Sequence, residues 1–244
     1  LTLKETEKKD ILFGFWDSDH TPEDAPQNVK KLYWNNLGSG RVIPMIGGFT
    51  ADMPESDIRK RLRNRRAPVD RADQVEYILL LDEPFYKNFT TEQQDLILKC
   101  AKQEIPGYKF AFSYARGALR DQGKCRLPKN LDVAMINNYT FYHEEYWPEM
   151  YITMQDQFEL DLLETVNIIR CQGISEIVIT GQSIMDEKKY RKPPLESVQW
   201  NVDFCYKYNL SGVIWFEYRD RSHWKGAESM SDFYQQQKAV FEGL

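Results

Sequence analysis

The sequence predicts an α/β fold with parallel strands, a (β/α)8 TIM-type barrel of seven or eight strands. Short apolar runs recur at 11–17, 42–48, 75–82, 108–114, 131–138, 176–182 and 212–218, each stopping at a polar, acidic or aromatic cluster. Helix-like segments separate most of them, the alternation expected of βα units around a parallel sheet. The length, 244 residues, is close to the ~250 typical of one such barrel. No repeat, low-complexity tract or linker interrupts the chain, so 1–244 reads as a single barrel domain.

Each element has a local reason. Residues 75–81 (Val75-Glu76-Tyr77-Ile78-Leu79-Leu80-Leu81) are almost continuously apolar, as a strand buried on both faces requires. Thr21-Pro22-Glu23-Asp24 has the form of a helix start: N-cap, proline in the first turn, then acids at the positive end. Ser56 reads as the N-cap of a basic helix carrying Arg59, Lys60, Arg61, Arg63, Arg65 and Arg66, whose charges suit a solvated face. Thr90 and Gln93 have capping-box spacing. Phe158, Leu162, Leu163, Val166 and Ile169 fall at helical spacing within 156–171, and Gly173 stops that helix. Residues 195–207 and 230–242 read as the last two helices. The stretch 49–74 offers no convincing strand.

Composition narrows the function. A net charge of −5 argues against a nucleic-acid partner. Aromatic residues make up 14% of the chain, with 6 Trp and 14 Tyr, which suits clefts where sugar C–H faces pack on rings. No apolar stretch approaches the ~20 residues of a membrane span. The chain begins at Leu1 with no visible signal peptide, as a processed or trimmed form would. Asn88, Asn138 and Asn209 open glycosylation-type tripeptides, so an extracellular or periplasmic location is favoured, with the cytoplasm left open. Cys100, Cys125, Cys171 and Cys205 lack any C-x-x-C pattern, which disfavours a structural zinc. There is no Gly-x-Ser-x-Gly elbow and no glycine-rich phosphate loop. The oligomeric state stays open.

In a barrel the reactive groups sit at the C-terminal strand ends. In order, those ends read Trp16-Asp17-Ser18-Asp19-His20, Gly47-Gly48-Phe49, Asp82-Glu83-Pro84-Phe85 and Ser113-Tyr114. Then come Asn137-Asn138-Tyr139, Thr180-Gly181-Gln182-Ser183 and Trp215-Phe216-Glu217-Tyr218. Carboxylates, amides and rings together are what glycoside hydrolysis needs: two carboxyl groups, hydroxyl-binding amides and aromatic platforms. His20, His143 and His223 also fall just past strand ends. With Asp17 and Asp19 they suggest a rival, metal-dependent barrel hydrolase, although no His-x-His pair occurs.

Residues 75–220 resemble the large clan of (β/α)8 glycoside hydrolases whose fourth strand ends in Asn-Glu-Pro. Asp82-Glu83-Pro84 stands at that place. Leu131–Tyr139 looks like the sixth strand, Glu176–Gln182 like the seventh and Gly212–Phe216 like the eighth. The resemblance implies that strand three is lost or degraded within 49–74. It further implies a poly- or oligosaccharide substrate, no cofactor, no metal, and Glu83 as general acid/base, a role suited to a carboxyl at the mouth of an apolar strand. Asp82 departs from the clan's Asn yet keeps an acceptor for a sugar hydroxyl.

The clan's nucleophile falls at Gly181 or Gln182, and neither can attack an anomeric carbon. Three explanations stand: another acid serves, turnover has been lost from a carbohydrate-binding barrel, or an acid was replaced by glutamine. Glu217 is the substitute by parity, sharing one strand face with Trp215 while Phe216 points oppositely; Asp17 is second. Asn138 is expected to bind sugar hydroxyls, and Trp16, Tyr114, Tyr139 and Trp215 to serve as platforms. Trp224, in the loop after the last strand, is a further surface ring.

Overall fold

Along strands such as 133–136 and 213–215 the side chains alternate between two apolar layers, as the two-residue period of extended chain requires. The computed structural model describes residues 10–16, 21–22, 24–33, 40–65, 73–121, 126–148 and 152–244. The order is β1 (Leu12–Phe15), β2 (Lys30–Tyr33), β3 (Val42–Met45), α1 (Glu55–Asn64), β4 (Ile78–Asp82), α2 (Thr91–Glu104), β5 (Phe110–Ala115) and α3 (Arg116–Arg120). It continues with β6 (Val133–Asn138), α4 (Gln155–Arg170), β7 (Glu176–Gln182), α5 (Ser197–Lys207), β8 (Gly212–Phe216) and α6 (Ser231–Glu242). All strand pairs are parallel, in the sequence β1-β8-β7-β6-β5-β4-β3-β2. This is the TIM-type barrel that the alternation implied.

β1 and β2 meet through the residues just before β2. The Asn28 backbone N–H donates to Phe13 O, and its side chain accepts from Phe13 N–H and donates to Ile11 O, each at 2.8 Å. One side chain thus imitates a strand edge and satisfies backbone groups that would otherwise be orphaned.

Inward-facing Leu12, Ile43, Leu79, Ala111, Val133, Met135, Val178 and Ile214 form the barrel interior. Outward-facing Phe13, Phe112, Ile136, Ile179 and Trp215 pack under the helices. Both sets are buried, which explains why strands of this kind read as continuous apolar runs.

Three expectations need correction. The described residues already supply eight strands: the third is Val42–Met45, and the strand that sequence reading passed over is Lys30–Tyr33. The described residues at 21–29 form turns and bends rather than a helix. Ser56 lies inside α1, whose N-cap is Pro54. By contrast, the Thr90–Gln93 capping box forms as spaced, with Gln93 N–H on the Thr90 hydroxyl at 3.3 Å and Thr90 N–H on the Gln93 amide at 2.7 Å. α4 buries Phe158, Leu162, Val166 and Ile169, the stripe its spacing implied.

Candidate active site

β4 carries a register shift between Leu79 and Leu81. The extra residue resets the alternation, so Asp82 comes to lie opposite inward-facing Ser113 rather than following Leu79 in parity. The next residue, Glu83, has φ of +50°, a left-handed conformation uncommon for a residue with a side chain. Strain of this kind survives only where the surroundings over-determine it, and here Glu83 N–H is held by Ser113 O at 2.8 Å. Bulge and turn together deliver two consecutive carboxylates, Asp82 and Glu83, into one cavity of about 720 Å³ at the C-terminal mouth.

A short relay orients Glu83. The Ser113 hydroxyl donates to Asn137 Oδ1 at 2.8 Å, and Asn137 Nδ2 donates to Glu83 Oε1 at 3.0 Å. With Oε1 accepting, a proton on this carboxyl resides on Oε2. Asp82 is engaged instead by Lys87, whose ammonium reaches its Oδ2 at 3.2 Å and its backbone carbonyl at 2.5 Å.

Trp16, Tyr139, Tyr190, Phe216 and Trp224 supply rings to the same cavity. Burial drives the Tyr139 phenol well above its ordinary pKa, and the Asp82 and Glu83 carboxylates add to the shift. The Tyr190 phenol is also raised, by burial first and then by Glu83. Both phenols stay neutral donors beside the acids.

A third carboxylate, Asp186, reaches the cavity from the loop after β7. Its Oδ1 accepts the backbone N–H groups of Lys188 (2.7 Å), Lys189 (2.5 Å) and Tyr190 (3.2 Å). Burial pushes this carboxyl's pKa up, but those N–H groups outweigh it and the net shift is down. Arg116, at the start of α3, also lines the cavity, ion-paired with Asp161. Burial, with Arg120 beside it, brings its guanidinium down to about 10.

The structure brings together Glu83, Asp82, Trp16, Tyr139 and Trp224. It does not bring the other expected residues there. Gln182 is buried at 1% exposure and fully committed to backbone: its Oε1 accepts Phe141 N–H at 2.9 Å, and its Nε2 reaches the carbonyls of Ile184 (3.0 Å), Arg191 (3.1 Å) and Phe141 (3.3 Å). Glu217, also 1% exposed, is clamped by Arg221, whose Nε lies 2.9 and 3.0 Å from its two oxygens. Trp215 and Tyr114 are completely buried in the outer layer, the latter donating to Gln94 Oε1 at 3.0 Å. The parity argument on β8 therefore inverts: Phe216 faces the cavity and Trp215 the helices. On β6 the error is one residue, since Asn137 faces inward and Asn138 is buried away from the cavity. Asp17, Asp19 and His20 lie outside the described residues. Among those described, no group of three or more His, Cys, Asp or Glu side chains is arranged to hold a metal ion; His143 Nε2 is 2.8 Å from Asp186 O and His223 lines the cavity.

Sequence reading missed Asn137, Asp186, Tyr190 and Phe216. Asp186 lies four residues beyond β7, past the polar cluster at the strand end, and so carries no signal in the sequence; Phe216 and Asn137 need only the opposite parity.

No family model matches the chain, and no curated protein does. Solved structures do. A β-glucuronidase from Ruminococcus gnavus superposes with a TM-score of 0.53 at 10% identity, over 79% of this chain and 38% of its own. Thermotoga maritima Cel5A, in a mutant form complexed with cellobiose, gives 0.50 at 15% identity over 81% of this chain and 72% of its own. A β-glucanase from Saccharophagus degradans, SdGluc5_26A, gives 0.51 at 11% identity over 83% and 68%. What is shared is the barrel. This chain thus spans well under half of the glucuronidase, and at these identities the likeness carries the fold and nothing finer. The Asp82-Glu83-Pro84 turn remains a sequence resemblance to the clan's Asn-Glu-Pro.

Proposed function

We propose that this protein hydrolyses a glycosidic bond in a poly- or oligosaccharide, with Glu83 as the proton donor and Asp186 as the second carboxylate. The single observation that carries this reading is Glu83 itself, turned by a left-handed residue into a ring-walled cavity and oriented by the Asn137 amide at 3.0 Å. A carboxyl poised this way can pass the proton on Oε2 to the glycosidic oxygen while the C1–O bond breaks and its electron pair leaves with that oxygen. Asp186, whose charge is favoured by three backbone N–H groups, stabilises the positive charge growing at the anomeric carbon. A water then gives its hydroxyl to that carbon and its remaining proton restores the carboxyl pair. This division of labour, one acid that gives the proton and one whose ionised form is favoured by backbone N–H groups, follows the general logic of paired carboxylates. The chemistry calls for no cofactor. The glycosidase names of the solved structures with this fold agree with it.

The test is release of new reducing ends from a panel of polysaccharides. Turnover that Glu83→Gln abolishes supports the hydrolase. A second reading, a carbohydrate-binding barrel without turnover, is favoured by Gln182, an amide anchored to backbone at the place where the clan bears its nucleophile. Binding with no release from any substrate would select it.

A further inference from the structure

The cavity leaves the barrel along a continuous run of rings. Tyr139 stands 5.3 Å from Phe216 and 6.0 Å from Tyr190, and Tyr190 stands 5.2 Å from Tyr142. Tyr142 meets Trp147 at 5.2 Å and stacks on Tyr146 at 6.2 Å, with ring planes 15° apart. Beyond Tyr142, which is 8% exposed, the rings open outward to solvent, 40% at Trp147 and 53% at Tyr146. Packing alone does not call for that opening: Trp215, in the outer layer of the same fold, is completely covered. An indole left open at the lip of a cavity forgoes hydrophobic stabilisation that burial would provide.

The turn that carries these rings is fastened in place. The N–H groups of Tyr146 and Trp147 both donate to His143 O at 3.1 Å. His143 N–H in turn donates to Lys189 O at 3.0 Å, and its Nε2 lies 2.8 Å from Asp186 O. The ring-bearing turn and the loop of Asp186 and Tyr190 therefore form one hydrogen-bonded wall. Arg116 and Lys189 line the cavity beside it, and the Lys189 ammonium sits 4.7 Å above the Tyr190 ring. A flat apolar face edged by hydrogen-bond donors matches a pyranose, which offers C–H groups on its faces and hydroxyls on its rim.

We propose that Trp147, backed by Tyr142 and Tyr146, is an outer subsite that stacks a further sugar unit of a glycan chain whose scissile bond lies at Glu83. The proposal rests on the hydrolase reading and specifies its substrate: a chain long enough to reach from Glu83 over the lip, rather than a small glycoside. Arg116 and Lys189 hydrogen-bond the hydroxyls of the unit between.

The test uses the full chain with short and long members of the cello-, laminari-, manno- and xylo-oligosaccharide series. Binding is followed by tryptophan fluorescence and turnover by reducing ends. In the series that the parent accepts, affinity should rise with chain length. Trp147→Ala should weaken the long members roughly tenfold more than the short ones, the order of one aromatic contact, and Trp147→Phe should restore most of the difference. Circular dichroism verifies that both variants fold, as expected for a ring already half open to solvent. If Trp147→Ala weakens long and short members equally, or neither, the outer subsite is wrong, while loss of turnover in Glu83→Gln still upholds the hydrolase. If no substrate turns over yet Trp147→Ala removes the chain-length dependence of binding, the subsite stands and the hydrolase falls. Absence of binding to every series overturns both.

Discussion

Replacing Gln182 with glutamate separates two views of that position: a vacated nucleophile, which the change would refill, or a structural clamp, which it would break. The clamp is built from one accepted and three donated contacts, all to backbone, on a side chain 1% exposed. A carboxylate keeps the acceptor for Phe141 N–H but turns an oxygen toward the carbonyls of Ile184, Arg191 and Phe141. Each buried group left without a partner costs about 1–3 kcal/mol, and the group relieves the clash only by staying protonated. A net destabilisation of about 3–5 kcal/mol follows. In a chain of this size that lowers Tm by about 6–20 °C. The introduced carboxyl has a folded-state pKa raised above its unfolded value of about 4.3. Its deficit against the parent is therefore smallest below about pH 4 and widens as pH rises, because ionisation then favours the unfolded chain. Thermal melts followed by far-UV circular dichroism from acid to neutral pH, with a reducing-sugar assay alongside, measure all of this. A variant that melts within about 2 °C of the parent, or that gains turnover the parent lacks, would refute the clamp.

Three further outcomes are expected. Asp186→Asn keeps the Oδ1 acceptor for the turn and removes the charge that its N–H groups favour, so turnover should fall by about 10²–10⁴ with only a small drop in Tm; loss of turnover no larger than the loss of folded protein would make Asp186 a structural residue. Glu217→Gln leaves the guanidinium of Arg221 without its ion pair and should cost about 1–3 kcal/mol in a urea melt, with the substrate KM unaltered; a selective loss of turnover would return Glu217 to the chemistry. Asp220 is pushed up by burial, yet the Ser229 hydroxyl, Gly226 N–H and Lys225 hold its pKa below the usual value. Its contribution is present above about pH 3.9 and is lost as pH falls through the depressed folded value. The loop holding Trp224 should therefore loosen in strong acid and not between pH 5 and 8, and an Asp220→Asn variant should lose that acid transition in its fluorescence.

The barrel was legible because its signals are repeated. Leu79 through Leu81, Val133 through Ile136 and Ile177 through Ile179 are runs that only a strand covered on both faces tolerates. The same continuity hid which way each side chain points, since no polar residue marks either face. That is why Asn138 was named for Asn137 and Trp215 for Phe216. Lys30–Tyr33 escaped notice because two lysines open it and no apolar run announces it. Glu83 stood out because an acid pair directly after a buried run is costly to desolvate. Asp186 did not, because its position depends on a turn closed by its own side chain, a contact invisible until the backbone is folded. Gln182 and Glu217 were marked as polar residues at strand ends, and both are polar for internal reasons: one ties loops together and the other holds Arg221.

The tip of β7 is closed to an acid at both of its last positions. Any side chain on Gly181 would run into the Trp215 ring at 2.7 Å, and position 182 belongs to the clamp. If an ionised oxygen is to face Glu83 from this side, it must sit past the end of the strand, where the hydrogen-bonding ladder no longer dictates spacing. The span between the two acids, and with it whether the sugar product keeps or inverts its configuration, then becomes a property of the tight turn at 186–190. Lengthening or shortening that turn would retune the stereochemistry while leaving every strand untouched.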